Sequence, residues 1–131
     1  MIQLEDTEQN LTLQEISDFE IEFNLKFPES YKSHILKYNG GYPIDELYFK
    51  GYPIDEFISI KYGDYHMSER LKNLKGFFNN NVCIPIATSN GGVIYIDTEK
   101  VYVKYSDGQI DFLANSFKDF LNGIKDEAYD F

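Results

Sequence analysis

The apolar positions of the first forty residues fall at helical intervals. Leu13, Ile16, Phe19 and Phe23 form one stripe, and Glu15, Asp18 and Glu22 are left facing outward. Thr12 and Glu15 stand at the spacing at which a hydroxyl and a carboxylate satisfy each other's backbone donors at a helix start. The pattern predicts a first helix beginning at Thr12 and running to Phe23. A second helix is predicted to begin at Pro28, whose fixed φ suits the first helical position, and to end at Asn39-Gly40-Gly41. Tyr31, Ile35, Leu36 and Tyr38 supply its buried side.

After residue 40 the period changes. Gly41-Tyr42-Pro43-Ile44-Asp45-Glu46 recurs as Gly51-Tyr52-Pro53-Ile54-Asp55-Glu56. Two copies are too few for a solenoid, which needs about three or more repeats to bury a continuous core. The repeat reads instead as a local duplication flanking a short strand at Leu47-Phe49. Pro43 and Pro53 then belong at strand entrances or on an edge, where a missing N–H is tolerated. Phe57 to Tyr62 reads as a further strand. Ser68, Leu71, Leu74 and Phe78 predict a short third helix, weakened toward its end by Gly76.

Past Asn79-Asn80-Asn81, strand-like segments cover 82–87, 93–97 and 101–105. They are joined by Asn90-Gly91-Gly92 and by Asp97-Thr98-Glu99-Lys100, and Asp107-Gly108 turns into a short strand over 109–112. Asn115 or Ser116 caps a last helix with Phe117, Phe120, Leu121 and Ile124 along one face. Connections of hairpin length imply antiparallel pairing. The expected class is therefore α+β, a mainly antiparallel sheet of about five to six strands packed against helices. No low-complexity stretch or linker divides the 131 residues, so one domain over 1–131 is expected.

Charge narrows the functional classes. There are 22 acidic and 12 basic residues, a net of −10. Up to residue 30, eight acids (Glu5, Asp6, Glu8, Glu15, Asp18, Glu20, Glu22 and Glu29) face Lys26 alone. A field of that sign repels nucleic-acid phosphate and anionic membrane, and speeds encounter with a basic partner. The single thiol, Cys83, makes no internal disulfide, which fits a reducing compartment. No apolar run approaches the roughly 20 residues of a membrane span. The start, Met-Ile-Gln-Leu-Glu-Asp, has neither the basic nor the apolar region of a secretion signal. A cytoplasmic location is expected, with no direct nucleic-acid or membrane binding.

The candidate chemistry is thin. His34 and His66 have no ligand partner at metal-binding spacing, and each reads as a solvated or packed histidine. Nothing near Cys83 in sequence would lower its pKa, so it reads as a buried structural thiol. Asn39-Gly40-Gly41 follows a helix and Asn90-Gly91-Gly92 precedes a strand, and neither has the lysine and helix start of a phosphate loop. All six read as structural turn residues. Asp45-Glu46 and Asp55-Glu56 are adjacent pairs, and neighbours on a strand point to opposite faces. No catalytic, cofactor-binding or metal site is expected.

The same residues suit binding. Tyr42 and Tyr52 each stand beside two acids, with Tyr48 between the copies, and aromatic anchors ringed by charge recur at interface hot spots. The candidate partner-binding residues are thus Tyr42, Asp45, Glu46, Tyr48, Tyr52, Asp55 and Glu56 in the repeat, with Glu15, Asp18 and Glu22 on the first helix.

Several segments in order resemble the SMI1/KNR4 (SUKH) superfamily. They are the acidic first helix from Ile16 to Phe23, Leu25-Lys-Phe-Pro-Glu-Ser-Tyr31 and Tyr38-Asn-Gly-Gly41. Further on come Ile84-Pro-Ile-Ala-Thr-Ser-Asn-Gly-Gly92, Val93-Ile-Tyr-Ile-Asp97, Val101-Tyr-Val103 and Leu113-Ala-Asn-Ser-Phe-Lys-Asp-Phe-Leu121. The chain has Phe27-Pro28 where the family often has Leu-Pro, and the duplicated hexapeptide has no counterpart to carry over. The resemblance implies an α+β fold and, in the bacterial branch, an immunity protein that binds and blocks a cognate polymorphic toxin domain, often a nuclease. The small single-domain form is more like that bacterial kind, with a regulatory interaction module for a cellular partner other than a toxin as the alternative. An enzyme is the reading the residues support least.

Overall fold

The computed structural model describes residues 2–78 and 82–126, so the Asn79-Asn80-Asn81 segment lies outside the described residues. The elements in chain order are β1 (Leu4–Glu5), α1 (Leu13–Phe23), α2 (Glu29–Lys37), β2 (Tyr42–Pro43), β3 (Leu47–Phe49), β4 (Tyr52–Ile54), β5 (Glu56–Phe57) and α3 (Met67–Asn73). They continue with β6 (Ile84–Ser89), β7 (Gly92–Asp97), β8 (Lys100–Lys104), β9 (Ile110–Ala114), α4 (Phe117–Asn122) and β10 (Ile124–Lys125). The architecture is α+β. Its pairing is antiparallel throughout, divided into a five-stranded sheet β5-β6-β7-β8-β9, a three-stranded sheet β10-β3-β4 and the pair β1-β2.

The helix starts follow their local chemistry. Thr12 and Glu15 form the reciprocal capping box of α1, each side chain bonded to the other's backbone N–H at 3.0–3.1 Å. Ser116, not Asn115, caps α4 by accepting from the Asp119 N–H. The α1 stripe is narrower than its spacing implies. Ile16 and Phe19 are buried, but Leu13 is 68% exposed, because as the first helical residue it projects beyond the core.

Four consecutive strands joined by short turns, β6 to β9, make most of the five-stranded sheet, and β5 adds to it beside β6. Its inner face alternates as strand geometry requires: Ile94 and Ile96 on β7 stand opposite Val103 and Val101 on β8, and all four are fully buried. Phe117 of α4 meets α2, edge-on to Tyr31 at 5.1 Å, and Phe120 packs on Phe49 of β3 at 5.0 Å. These residues belong to one buried cluster.

Three segments depart from the sequence reading. The strand expected over Phe57–Tyr62 is only β5, two residues long. Ile58 still donates to the Ile86 carbonyl, but the Asn39 side chain takes both the N–H and the carbonyl of Ile60, and Lys61 turns left-handed at φ 65°. A side chain has replaced the neighbouring strand. The third helix ends at Asn73, before Leu74 and Phe78. The last helix ends at Asn122, so Ile124 lies outside it and pairs with Phe49 as β10. A side chain at Gly123 would lie 2.5 Å from the Phe49 ring, so glycine is what lets β3 approach.

Tyr31 carries a small internal cost. Its ring is buried, and its hydroxyl has no hydrogen-bond partner among the described residues, so burial alone pushes its pKa upward. A buried polar group left unpaired costs on the order of 1 kcal/mol or more. Tyr31→Phe is therefore expected to leave stability unchanged or raise it by up to about 1 kcal/mol in urea unfolding. A loss above that would reveal a hydroxyl partner.

Candidate functional site

The acids singled out on α1 divide by environment. Asp18 and Glu22 are exposed; Asp18 accepts from Gln14 Nε2 at 2.8 Å, and the Glu22 carboxylate makes no hydrogen bond or ion pair among the described residues. Glu15 is not free. Its carboxylate accepts from Lys61 at 2.6 Å, from the Tyr62 hydroxyl and from the Thr12 N–H. Those donors, Lys61 first, hold its pKa down at about 2. Glu15, Asp18 and Glu22 border a cleft of about 260 Å³ between α1 and the chain from Ile60 to Ser68, floored by Phe19 and Phe23. An apolar floor with a carboxylate rim has the chemistry to take the stem and head of a lysine or arginine.

Identical hexapeptides meet different fates in the repeat. The first copy turns outward: Tyr42 and Asp45 are exposed, Ile44 is 51% exposed, and Glu46 accepts from the Tyr48 hydroxyl at 2.8 Å. The second turns inward. Ile54 is 4% exposed, Tyr52 donates to Asp111 at 2.9 Å, Asp55 accepts from the Asn90 N–H at 2.8 Å, and Glu56 pairs with Arg70 at 2.8 Å. Tyr52 and Glu56 are half-buried and Asp55 is exposed, and each of the three has its polar group engaged by a partner within the fold. The copies meet at one point. The bridge between Gly41 and Phe57 sets Tyr42 beside Glu56, whose charge is the first cause of its raised pKa.

Asn90 and Gly91 form the β6-β7 turn with φ 49° and 81°, and Gly92 lies against the Tyr105 ring. Asn39 does more than end α2. It is fully buried, and its side chain spans from Gln9 to Ile60. Gly40, at φ 72°, is pressed so close to Ser59 that a Cβ would lie 2.9 Å from backbone atoms. Gly41, at φ 115°, is equally confined against Glu5 and Thr7.

One arrangement was not legible in the sequence. Ser68 Oγ lies 2.7 Å from His66 Nδ1, and His66 Nε2 lies 3.4 Å from Glu69, at the edge of the α1 cleft. The three types are those of a hydrolytic triad, but the setting opposes that chemistry. Glu15, Asp18 and Glu22 surround the cleft with negative charge, which raises the energy of an oxyanion, and Lys61 is already neutralised by Glu15. The three residues instead lie at the start of α3, where His66 holds the N-cap position. Cys83 is buried, as expected of a structural thiol. Among the described residues no group of three or more His, Cys, Asp or Glu could hold a metal ion. No helix among them is long and apolar enough to cross a membrane.

An antiparallel five-stranded sheet with helices packed on it defines an α+β domain, with no metal cluster among its described residues. The chain belongs to the SMI1/KNR4 family (SUKH-1), whose model matches residues 10–123. That span runs from just before α1 to Gly123 and leaves out β1 and β10. No curated protein matches the chain.

Proposed function

We propose that this protein is an immunity protein that binds a cognate polymorphic toxin domain and neutralises it by covering its active or substrate-binding site. Membership of the SMI1/KNR4 family carries the reading. The net charge of −10 adds that the toxin surface is basic, as the phosphate-binding groove of a nuclease would be. The residues proposed for contact are those whose charge the fold leaves unspent: Asp18 and Glu22 at the α1 cleft, and Asp45 with Tyr42 in the outward copy of the repeat.

Co-expression with the toxin encoded by a neighbouring gene should relieve its toxicity. Persistent toxicity would sink the immunity reading and leave a regulatory module as the alternative. The surface is tested separately. Replacing Asp18, Asp45 and Glu22 together with Asn, Asn and Gln should slow association by about tenfold at low salt and flatten its salt dependence, with the dissociation rate changing less. Glu56→Gln should act on stability instead, costing about 1 kcal/mol through loss of the half-buried Arg70 pair. Unchanged association at low salt for the triple variant would move the interface elsewhere.

A further inference from the structure

We propose that β9, an edge of the five-stranded sheet that is open among the described residues, is a strand-addition site for an extended partner segment that reads apolar, basic, apolar. The inference rests on the protein-binding reading for its class of partner only, not on the partner being a toxin.

The ladder identifies the free backbone groups. Tyr105 donates to the Gln109 carbonyl at 2.9 Å, and the register pairs Lys104 with Ile110, Val103 with Asp111 and Tyr102 with Phe112. Bonded and non-bonded pairs alternate along an antiparallel ladder. Asp111 therefore turns its N–H and carbonyl toward β8, while Ile110 and Phe112 turn theirs to the open side. Those two residues are also where apolar side chains face water, Ile110 at 39% and Phe112 at 52% exposure. Natural sheets protect such edges with charge, proline or cover. Here two adjoining free backbone positions carry an isoleucine and a phenylalanine.

The side chains continue as a platform. Pro85, Tyr95, Tyr102 and Phe112 form one rung across β6, β7, β8 and β9. Tyr95 lies 5.6 Å from Tyr102, which meets Phe112 edge-on at 5.8 Å. At its inner end the rung is covered by Phe78, 4.6 Å from Tyr95, and burial raises the Tyr95 pKa to about 12. At its outer end Phe112 stands open, so an apolar side chain on an added strand would extend an existing stack.

Charge decides the occupant. A second copy pairing β9 with β9 about a two-fold axis at Asp111 would set Asp111 against its own copy, between chains of −10 each. Like charges directly opposite are destabilising in a sheet. Asp111 projects to the face opposite Phe112, where it accepts from Tyr52. A partner strand with lysine or arginine opposite Asp111 and apolar residues on either side satisfies both faces, since pockets for alternate side chains give strand addition its specificity.

The test uses the whole protein and a nine-residue peptide with Ile-Lys-Ile at its centre and threonine elsewhere. An Ile-Glu-Ile peptide and a permuted one with the lysine at one end serve as controls. In the free protein the amides of Ile110 and Phe112 should exchange with solvent freely, and the Ile-Lys-Ile peptide should slow both by about tenfold or more. Ile110→Pro removes an N–H that the ladder to β8 does not use and should weaken the peptide by about tenfold, a loss of about 1.4 kcal/mol. Phe112→Thr, a surface exchange that keeps the backbone groups, should weaken it severalfold. Protection of both amides in the free protein would overturn the proposal. So would equal binding by the Ile110→Pro and Phe112→Thr proteins, or by the permuted peptide. None of these outcomes depends on toxin neutralisation, so failure of the immunity reading remains distinguishable.

Discussion

Asn39→Ala is expected to destabilise the protein by about 3–5 kcal/mol, a large part of the roughly 5–15 kcal/mol that holds a typical domain together. The Asn39 Nδ2 donates to the carbonyls of Gln9 at 2.9 Å and Ile60 at 3.0 Å, and its Oδ1 accepts from the Ile60 N–H at 2.7 Å. Truncation strands three backbone groups around a residue with no exposed surface, and each unsatisfied buried group costs about 1–3 kcal/mol. The loss also unlinks three stretches of chain, the approach to α1, the end of α2 and the turn after β5. Asn39→Asp should fail as well, because it keeps the acceptor but removes both donors and buries a charge. In urea unfolding the Ala midpoint should fall by about 2 M for a slope near the middle of the usual range. A loss below about 1 kcal/mol would mean that water replaces the amide, and that the turn does not depend on it.

Acid should destabilise the protein in two separate windows, and His34 sets the first. Its ring is buried among Phe57, Phe117, Tyr38 and Tyr31, with centroids 5.2–6.4 Å away, and its Nε2 has no hydrogen-bond partner among the described residues. Burial first, and the charge of Lys37 second, hold its pKa at about 4 against an ordinary 6.5. Between those values the unfolded chain binds a proton that the folded chain refuses. Stability is therefore full above about pH 6.5 and falls as the pH drops toward 4, by about 3 kcal/mol, with no further contribution below. Glu15 titrates later. Its stabilising bonds with Lys61, Tyr62 and Thr12 are complete above its ordinary 4.5 and are lost as the pH falls toward 2. His34→Phe should abolish the first window and leave the second. Stability measured from pH 7 to 4 that declines equally in His34→Phe and the unaltered protein would assign the acid sensitivity to other groups.

The legible parts of the fold are those with local causes. The α1 start was readable because Thr12 and Glu15 satisfy each other within one turn. Asn90-Gly91 was readable because a two-residue hairpin turn demands left-handed backbone. The four strands from Ile84 to Ala114 were readable because each turn pairs neighbours in sequence. The misread places have remote causes. Phe57–Tyr62 has the composition of a strand, but Asn39, about twenty positions earlier, takes the bonds a neighbouring strand would need. Glu15 has the spacing of an outward residue, but Lys61 and Tyr62 come to meet it. His34 is spaced like any polar residue of α2, yet Phe57 and Phe117 close over it.

The hexapeptide repeat separates the two kinds of information most cleanly. Sequence by itself determined that Gly-Tyr-Pro-Ile-Asp-Glu, twice over, makes short extended segments around a strand at Leu47–Phe49, because proline fixes φ and glycine permits the left-handed turn before it wherever they stand. It also determined the α+β class, since hydrophobic period and turn chemistry are properties of contiguous residues. Only the tertiary structure decided that Ile44 faces water while Ile54 is core, that Asp45 keeps its charge free while Asp55 holds the Asn90 turn, and that Glu56 is spent on Arg70. The copies are identical, so no property of the six residues could have made that distinction. It came from what packs against each: β1 on one side, and β3, β6, α3 and β9 on the other.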